Sequence, residues 1–226
     1  KKPAFEAPRA KEPETRPHAK FEKIPFDVTT PTLAFSFRVP DLKHEDMPAL
    51  DLLGGILGMG EMCRLYQGLF YGKSLVTDVG GSLYVPRDPG MLYFNADVDS
   101  VEKLPAVFEA MLDELKRIQT DPPTPEEIAR VVTNTESERY YALQSADGIA
   151  SRLGFLRFQI GDLEYDDHYL EKLRSVDAAQ IQEMARKYFD LSRMSFTVML
   201  PEKEKGFDLS PMFEIAKKAL GHEGGS

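Results

Sequence analysis

Leu52-Leu53-Gly54-Gly55-Ile56-Leu57-Gly58-Met59-Gly60-Glu61-Met62-Cys63-Arg64-Leu65-Tyr66-Gln67-Gly68-Leu69-Phe70-Tyr71-Gly72-Lys73-Ser74-Leu75-Val76-Thr77-Asp78-Val79 is the stretch whose reading decides the fold. Its apolar opening reads as a buried helix. The glycines that follow read as a helix end and tight turn, with Gly58 or Gly60 at positive φ. Arg64-Leu65-Tyr66-Gln67 with Leu69 starts a second helix, and a strand begins at Leu75. A glycine run of this kind can cradle phosphate. Here no Lys-Ser/Thr pair follows it and no buried strand precedes it, so a nucleotide loop is set aside.

Outward from that stretch the periods are clear. Leu33, Phe35, Phe37 and Val39 alternate with Thr32, Ala34, Ser36 and Arg38, which marks a strand with one buried face. Leu75 to Val85 and Met91 to Val98 read as two more strands, joined by the turn residues Pro86 to Gly90. Met194, Phe196, Val198 and Leu200 alternate once more. Residues 21–28 read as extended, and Pro25 assigns them to an edge.

The helices are as well punctuated. Leu104, Val107, Phe108, Met111, Leu112, Leu115 and Ile118 form one apolar stripe, with Asp99 and Glu102 as its expected cap. Thr124-Pro125-Glu126-Glu127 opens a helix reaching about Ser145. Others are expected over Asp147 to Gln159, Asp167 to Leu173, and after Asp177 and Gln180. One-sided strands with segregated helices predict an α+β two-layer sandwich, its sheet largely antiparallel or mixed and its helices on one face.

At 226 residues, 42% of them hydrophobic and 29% charged, the chain can bury a sizeable core. Residues 1–20, with Pro3, Pro8, Pro13 and Pro17 among charges, read as a linker or lead-in. Residues 21–220 read as one domain, and 221–226 as a flexible tail. The opening has no signal-peptide core, so the chain reads as a piece of a longer one. A net charge of -9 argues against a nucleic-acid partner. No run is long and apolar enough for a membrane span. Cys63 stands alone, so it forms no internal disulfide, and no activating base is evident near it.

The order of elements resembles one domain of the pitrilysin/insulinase family of zinc peptidases, which includes the mitochondrial processing peptidase. The resemblance covers about residues 20–201. Besides residues 52–79 it rests on Asp88-Pro89-Gly90-Met91-Leu92-Tyr93-Phe94, Thr124-Pro125-Glu126-Glu127-Ile128, Ala142-Leu143-Gln144-Ser145 with Asp147-Gly148-Ile149-Ala150, and Val176-Asp177-Ala178-Ala179-Gln180-Ile181. It implies paired domains enclosing a proteolytic chamber, with zinc held on a helix by an inverted His-x-x-Glu-His motif. Two histidines four apart share a helical face, and the glutamate between them activates the bound water. This chain has His18, His44, His168 and His222, none of them so spaced. The expectation is therefore no catalytic residue and no zinc here, the zinc belonging to a companion domain.

The family's substrate-holding Arg and Tyr match Phe70 and Thr77, neither of which replaces them. That absence resembles the domain directly following the zinc-bearing one. The resemblance thus implies an accessory domain of a zinc metallopeptidase that shapes the chamber and helps bind peptide. The competing reading is a non-catalytic structural protein, like zinc-less relatives in respiratory complexes. The resemblance also leans toward a bacterial periplasmic or envelope address.

Among other residues, Arg64, Tyr66 and Gln67 are expected to serve helix packing and ion pairing. Arg152, Arg157 and Phe158 read as a solvated stripe, and Asp162, Glu164, Asp166 and Asp167 as a solvated acidic loop that fits no calcium spacing. One functional idea needs no catalytic side chain: a sheet with one polar face, supplied by strands 32–39 and 75–98, and an exposed edge could accept an extended peptide by strand addition.

Overall fold

The computed structural model describes residues 19–86 and 88–221, so His18, His222, the expected tail beyond Gly221 and nearly all of the expected lead-in lie outside the described residues. In chain order come β1 (Lys20–Phe26), β2 (Thr32–Val39), α1 (Met47–Gly58), β3 (Asp78–Tyr84), β4 (Gly90–Asp97), α2 (Leu104–Thr120), α3 (Pro125–Ala142), α4 (Ala146–Phe155), α5 (Tyr165–Ser175), α6 (Ala178–Tyr188), β5 (Met194–Pro201) and α7 (Ser210–Leu220). The strands form one mixed sheet in the order β1-β5-β2-β4-β3, with β1 parallel to β5 and the other pairs antiparallel. The α+β sandwich read from the periods is the architecture found, and Pro25 does sit on an edge strand.

A row of aromatic side chains crosses the buried face of the sheet. The register places Phe94, Phe35, Phe196 and Phe21 side by side on β4, β2, β5 and β1. Ring centroids lie 5.5 Å apart for Phe35–Phe94 and 5.1 Å for Phe21–Phe196. Phe108 of α2 meets both Phe35 and Phe196, and Phe213 of α7 caps Phe21 edge-on. Such contacts add to the area these rings bury. Apart from Asp51, α1 is apolar and buried all round, packed between the sheet and α3, α5 and α6. Its approach to the sheet needs glycine: a Cβ on Gly58 would stand 2.6 Å from the Gly81 amide nitrogen.

Several boundaries differ from expectation. β3 begins at Asp78, because Leu75 to Thr77 still belong to the connection: the Leu75 amide bonds to Leu69 O and that of Thr77 to Asp97 O. The second helix of the deciding stretch is mostly a π-helical turn over Tyr66–Gly72. Positive φ falls on Gly60 (73°) and not on Gly58, which ends α1. Asp99 and Glu102 do not cap α2. A 3-10 turn over Val101–Lys103 leads in, and Asp99 instead pairs with Lys103 at 2.7 Å. α3 stops at Ala142, because Ser145 turns to cap α4 through the Gly148 amide. The helix expected to Gln159 is α up to Phe155 and π-helical over Leu156–Ile160, ending on left-handed Gly161. α5 starts and ends two residues outside its expected span. Capping boxes form at two of the expected helix starts: Thr124 with Glu127, and Asp177 with Gln180. α7 lay in a stretch to which the periods assigned nothing.

Candidate functional site

The described helices lie on the side of the sheet built by Leu33, Phe35, Phe37, Leu92, Phe94, Phe196 and Val198, which are buried, some packing on it directly and others through α1. Alternate residues of the same strands point the other way and are only half-buried. Across that open face the register sets Tyr93 (β4), Ser36 (β2) and Ser195 (β5) in one row, and Asn95, Ala34 and Thr197 in the next. Tyr93 apart, the centre of the platform is therefore built of small side chains, most of them polar.

Its two ends differ. At one, Tyr84, Met91 and Arg38 make a row across β3, β4 and β2, and a cavity of about 210 Å³ opens between them, Ser36, Arg193 and Ser195. At the other, Asp78 and Asp97 face each other across β3 and β4, and Thr32 donates its hydroxyl hydrogen to Asp97 Oδ1 at 2.6 Å. Along the border, β3 and β1 are the outermost strands.

Phe70 and Thr77 have separate structural jobs. Phe70 stacks on Tyr66, centroids 4.6 Å apart, against the edge of the core. Thr77 is exposed and donates both its amide and hydroxyl hydrogens to Asp97 O, at 2.9 and 3.1 Å. No three His, Cys, Asp or Glu side chains among the described residues converge as a metal site would require, so the residues present do not fit a zinc ion. His44 accepts the Asp46 amide hydrogen on Nδ1, and His168 is exposed. Cys63 is fully buried, and that burial pushes its thiol above the usual range. Among the described residues no helix is long and apolar enough to cross a membrane.

Arg64 acts as expected, inside the scaffold. Its guanidinium grips both carboxylate oxygens of Glu127 at 2.7 and 2.8 Å and donates to Asp121 O and Pro122 O. Glu127 also accepts the Thr124 amide hydrogen, so one carboxylate caps α3 and anchors the turn after Gly60. Burial pushes the Glu127 carboxyl up, but the Arg64 and Thr124 hydrogen bonds outweigh it and hold it below the usual range.

The acidic run is not a solvated loop throughout. Asp166 is buried, takes both Nε and an Nη of Arg152, and lies 3.6 Å from Arg139 Nε. Arg139 adds bonds to Asp166 O and to Asp167. A carboxylate between two guanidiniums ties α3, α4 and α5 together, so Arg152 is not a solvated arginine either. Arg157 and Phe158 do face solvent.

One part-buried polar pair escaped the sequence reading. Asp51, the single charged residue of α1, accepts the Tyr169 hydroxyl hydrogen at 3.0 Å beside a cavity of about 330 Å³ between α1, α3, α4 and α5. Burial raises its pKa, the Tyr169 bond lowers it, and the net direction is upward. Its only sequence signal was a lone carboxylate in an otherwise apolar helix.

Residues 2–135 match the family described as the peptidase M16 inactive domain. The zinc protease PqqE of Helicobacter pylori is 24% identical over 168 residues, covering 74% of this chain and 37% of that protein. A protease from Helicobacter pylori superposes with a TM-score of 0.80 at 22% identity, over 89% of this chain and 48% of the other. The peptidase M16 inactive domain from Pseudomonas fluorescens gives 0.74 at 19% identity, over 88% and 48%. At these identities the structural likeness is one of fold. The chain thus spans about half the length of these solved chains and less of the curated relative.

Proposed function

The chain belongs to the peptidase M16 inactive-domain family, and from that membership we propose that it is the accessory, non-zinc-binding domain of a zinc metallopeptidase. It walls one side of a proteolytic chamber and holds peptide there in extended form. The zinc and the water it activates belong to a companion domain, the main partner of this chain, and the substrate is a peptide or unfolded protein.

The observation that carries the reading is the helix-free face of the sheet. Its central side chains, Tyr93 apart, are small and mostly polar, and its outermost strands offer main-chain groups to an extended chain. Binding of that kind reads backbone more than sequence, which suits a chamber wall. Phe70 and Thr77 supply neither a cationic donor nor a phenol, so the holding is assigned to the platform and not to those two positions.

The test is reconstitution with a zinc-bearing domain of the same family. The expected result is hydrolysis of an unfolded peptide by the pair, none by this chain alone, and stoichiometric zinc only in the companion. Turnover by the isolated chain with zinc bound to it would overturn the reading. A stable pair without hydrolysis or zinc would favour a purely structural role.

A further inference from the structure

The cavity of about 330 Å³ between α1, α3, α4 and α5 lies on the helical side of the sheet, away from the open face. Its size is at the lower end of small-molecule sites. Met47, Leu83, Val85, Phe155 and Leu170 give it an apolar wall, and Asp51 of α1 and Glu138 of α3 bring carboxylates to it.

The other charges on the lining are matched among themselves. Asp166 takes both Nε and an Nη of Arg152, and Arg139 bonds to Asp166 O and, at 2.8 Å, to Asp167. Two guanidiniums thus face two carboxylates. Tyr165 donates its hydroxyl hydrogen to Leu42 O at 2.8 Å. Asp51 and Glu138 remain, and no basic side chain among the described residues pairs with either. Tyr169 occupies Asp51 Oδ2 alone. Among the described residues, the buried side-chain polar atoms without a partner are Glu114 Oε2 and Arg130 Nη2, so Asp51 Oδ1 keeps accessible surface of its own. A carboxylate set against an apolar wall with no counter-charge is costly to ionise, and a cation that reaches it relieves the cost. The upward direction of the Asp51 pKa agrees, since burial and Glu138 both push it that way.

We propose that this cavity binds an ammonium group carried on an apolar stem, with the ammonium at Asp51 and the stem against Met47, Leu83, Val85, Phe155 and Leu170. The site stands independently of the peptide platform. A bare metal ion would leave the apolar wall unused, and an acidic ligand would meet two carboxylates that have no cation of their own. The ammonium comes either from a small free amine or from a lysine side chain, whose four-carbon stem has the same character.

The experiment titrates the full 226-residue chain by calorimetry with 2-phenylethylamine, 2-phenylethanol, 3-phenylpropionate, methylamine and the peptide acetyl-Ala-Lys-Ala-amide. The amine should bind about tenfold more tightly than the alcohol, the gain expected of a charge-assisted bond over a neutral one. Methylamine has the charge without the stem and should bind more weakly than either. The propionate should bind weakest of the phenyl probes. A net charge of -9 attracts any cation from a distance. The series is therefore repeated at high salt, where that field is screened and a partly buried pair persists. A lysine peptide that matches 2-phenylethylamine assigns the site to a protein partner, and one that binds more weakly assigns it to a free amine.

Asp51→Asn keeps an acceptor for Tyr169 and should cut the amine-to-alcohol preference to under about twofold, with alcohol binding unchanged as the check on the fold. Glu138→Gln, at an exposed position, should lower the preference by a smaller factor. Equal affinity for amine and alcohol, tighter binding of the propionate, or a preference that vanishes at high salt would overturn the proposal on the unaltered chain. So would an Asp51→Asn chain that keeps the preference, or no binding of any phenyl probe.

Discussion

At the scale of single residues, the informative groups are the ones that do two jobs. Glu127 caps α3 and receives Arg64. Glu127→Gln keeps an oxygen for the cap but leaves the nearly buried Arg64 without its counter-charge. A loss of about 2–3 kcal/mol is expected near pH 7 from urea unfolding. The sign with pH follows from the lowered folded pKa. The wild-type advantage is full above the ordinary glutamate value and fades as pH falls through the lowered one, so the gap between the proteins should close in acid. Asp51 behaves oppositely. Its raised pKa means that the folded state prefers the proton, and ionisation costs stability as pH climbs above the ordinary aspartate range. Asp51→Asn keeps an acceptor for Tyr169. It should therefore unfold at higher urea than wild type at pH 8 and at nearly the same urea at pH 4. Arg64 was legible in the sequence as an ion-pairing residue, but its partner, far along the chain, was not. Asp166 was misread as solvated for the same reason: the guanidiniums that bury it come from α3 and α4, and spacing alone does not reveal that.

At the scale of elements, the crossing of α1 over β3 is set by two glycines in contact. A methyl on Gly58 would meet Gly81 at 2.6–2.8 Å, backbone against backbone, with no flexible side chain to yield. Gly58→Ala should cost about 3 kcal/mol, the upper range for overpacking a well-filled site, measured as a fall in the thermal midpoint. Elements with strong local signals were read correctly. The alternation of β2, β4 and β5 and the boxes at Thr124 and Asp177 each decide structure within a few residues. Elements decided by tertiary contacts were not. α7 carries Met212, Ala216 and Leu220 at helical spacing, a stripe too sparse to stand out until Phe213 is seen against Phe21. The π-helical turns at 66–72 and 156–160 have no residue pattern that separates them from ordinary helix.

At the scale of the whole molecule, the sandwich was readable because each strand shows one apolar face and the helices come in blocks. The parallel pairing of β1 with β5 was not readable. Nothing in Lys20–Phe26 names its neighbour, and Pro25 says only that one side is unpaired. The open platform was readable as polar alternation, whereas its basic and acidic ends emerge only when the register aligns Arg38 with Met91 and Asp97 with Asp78. The placement of β5 between β1 and β2 has a consequence for biosynthesis. Within this domain the first strand has no partner until the last strand, β5, has been made, and Phe21 and Phe35 become neighbours only through Phe196. Closure of the sheet thus waits for β5 and is a long-range step of the slow kind. Until then the domain carries unpaired aromatic strands, which is when a chaperone matters most.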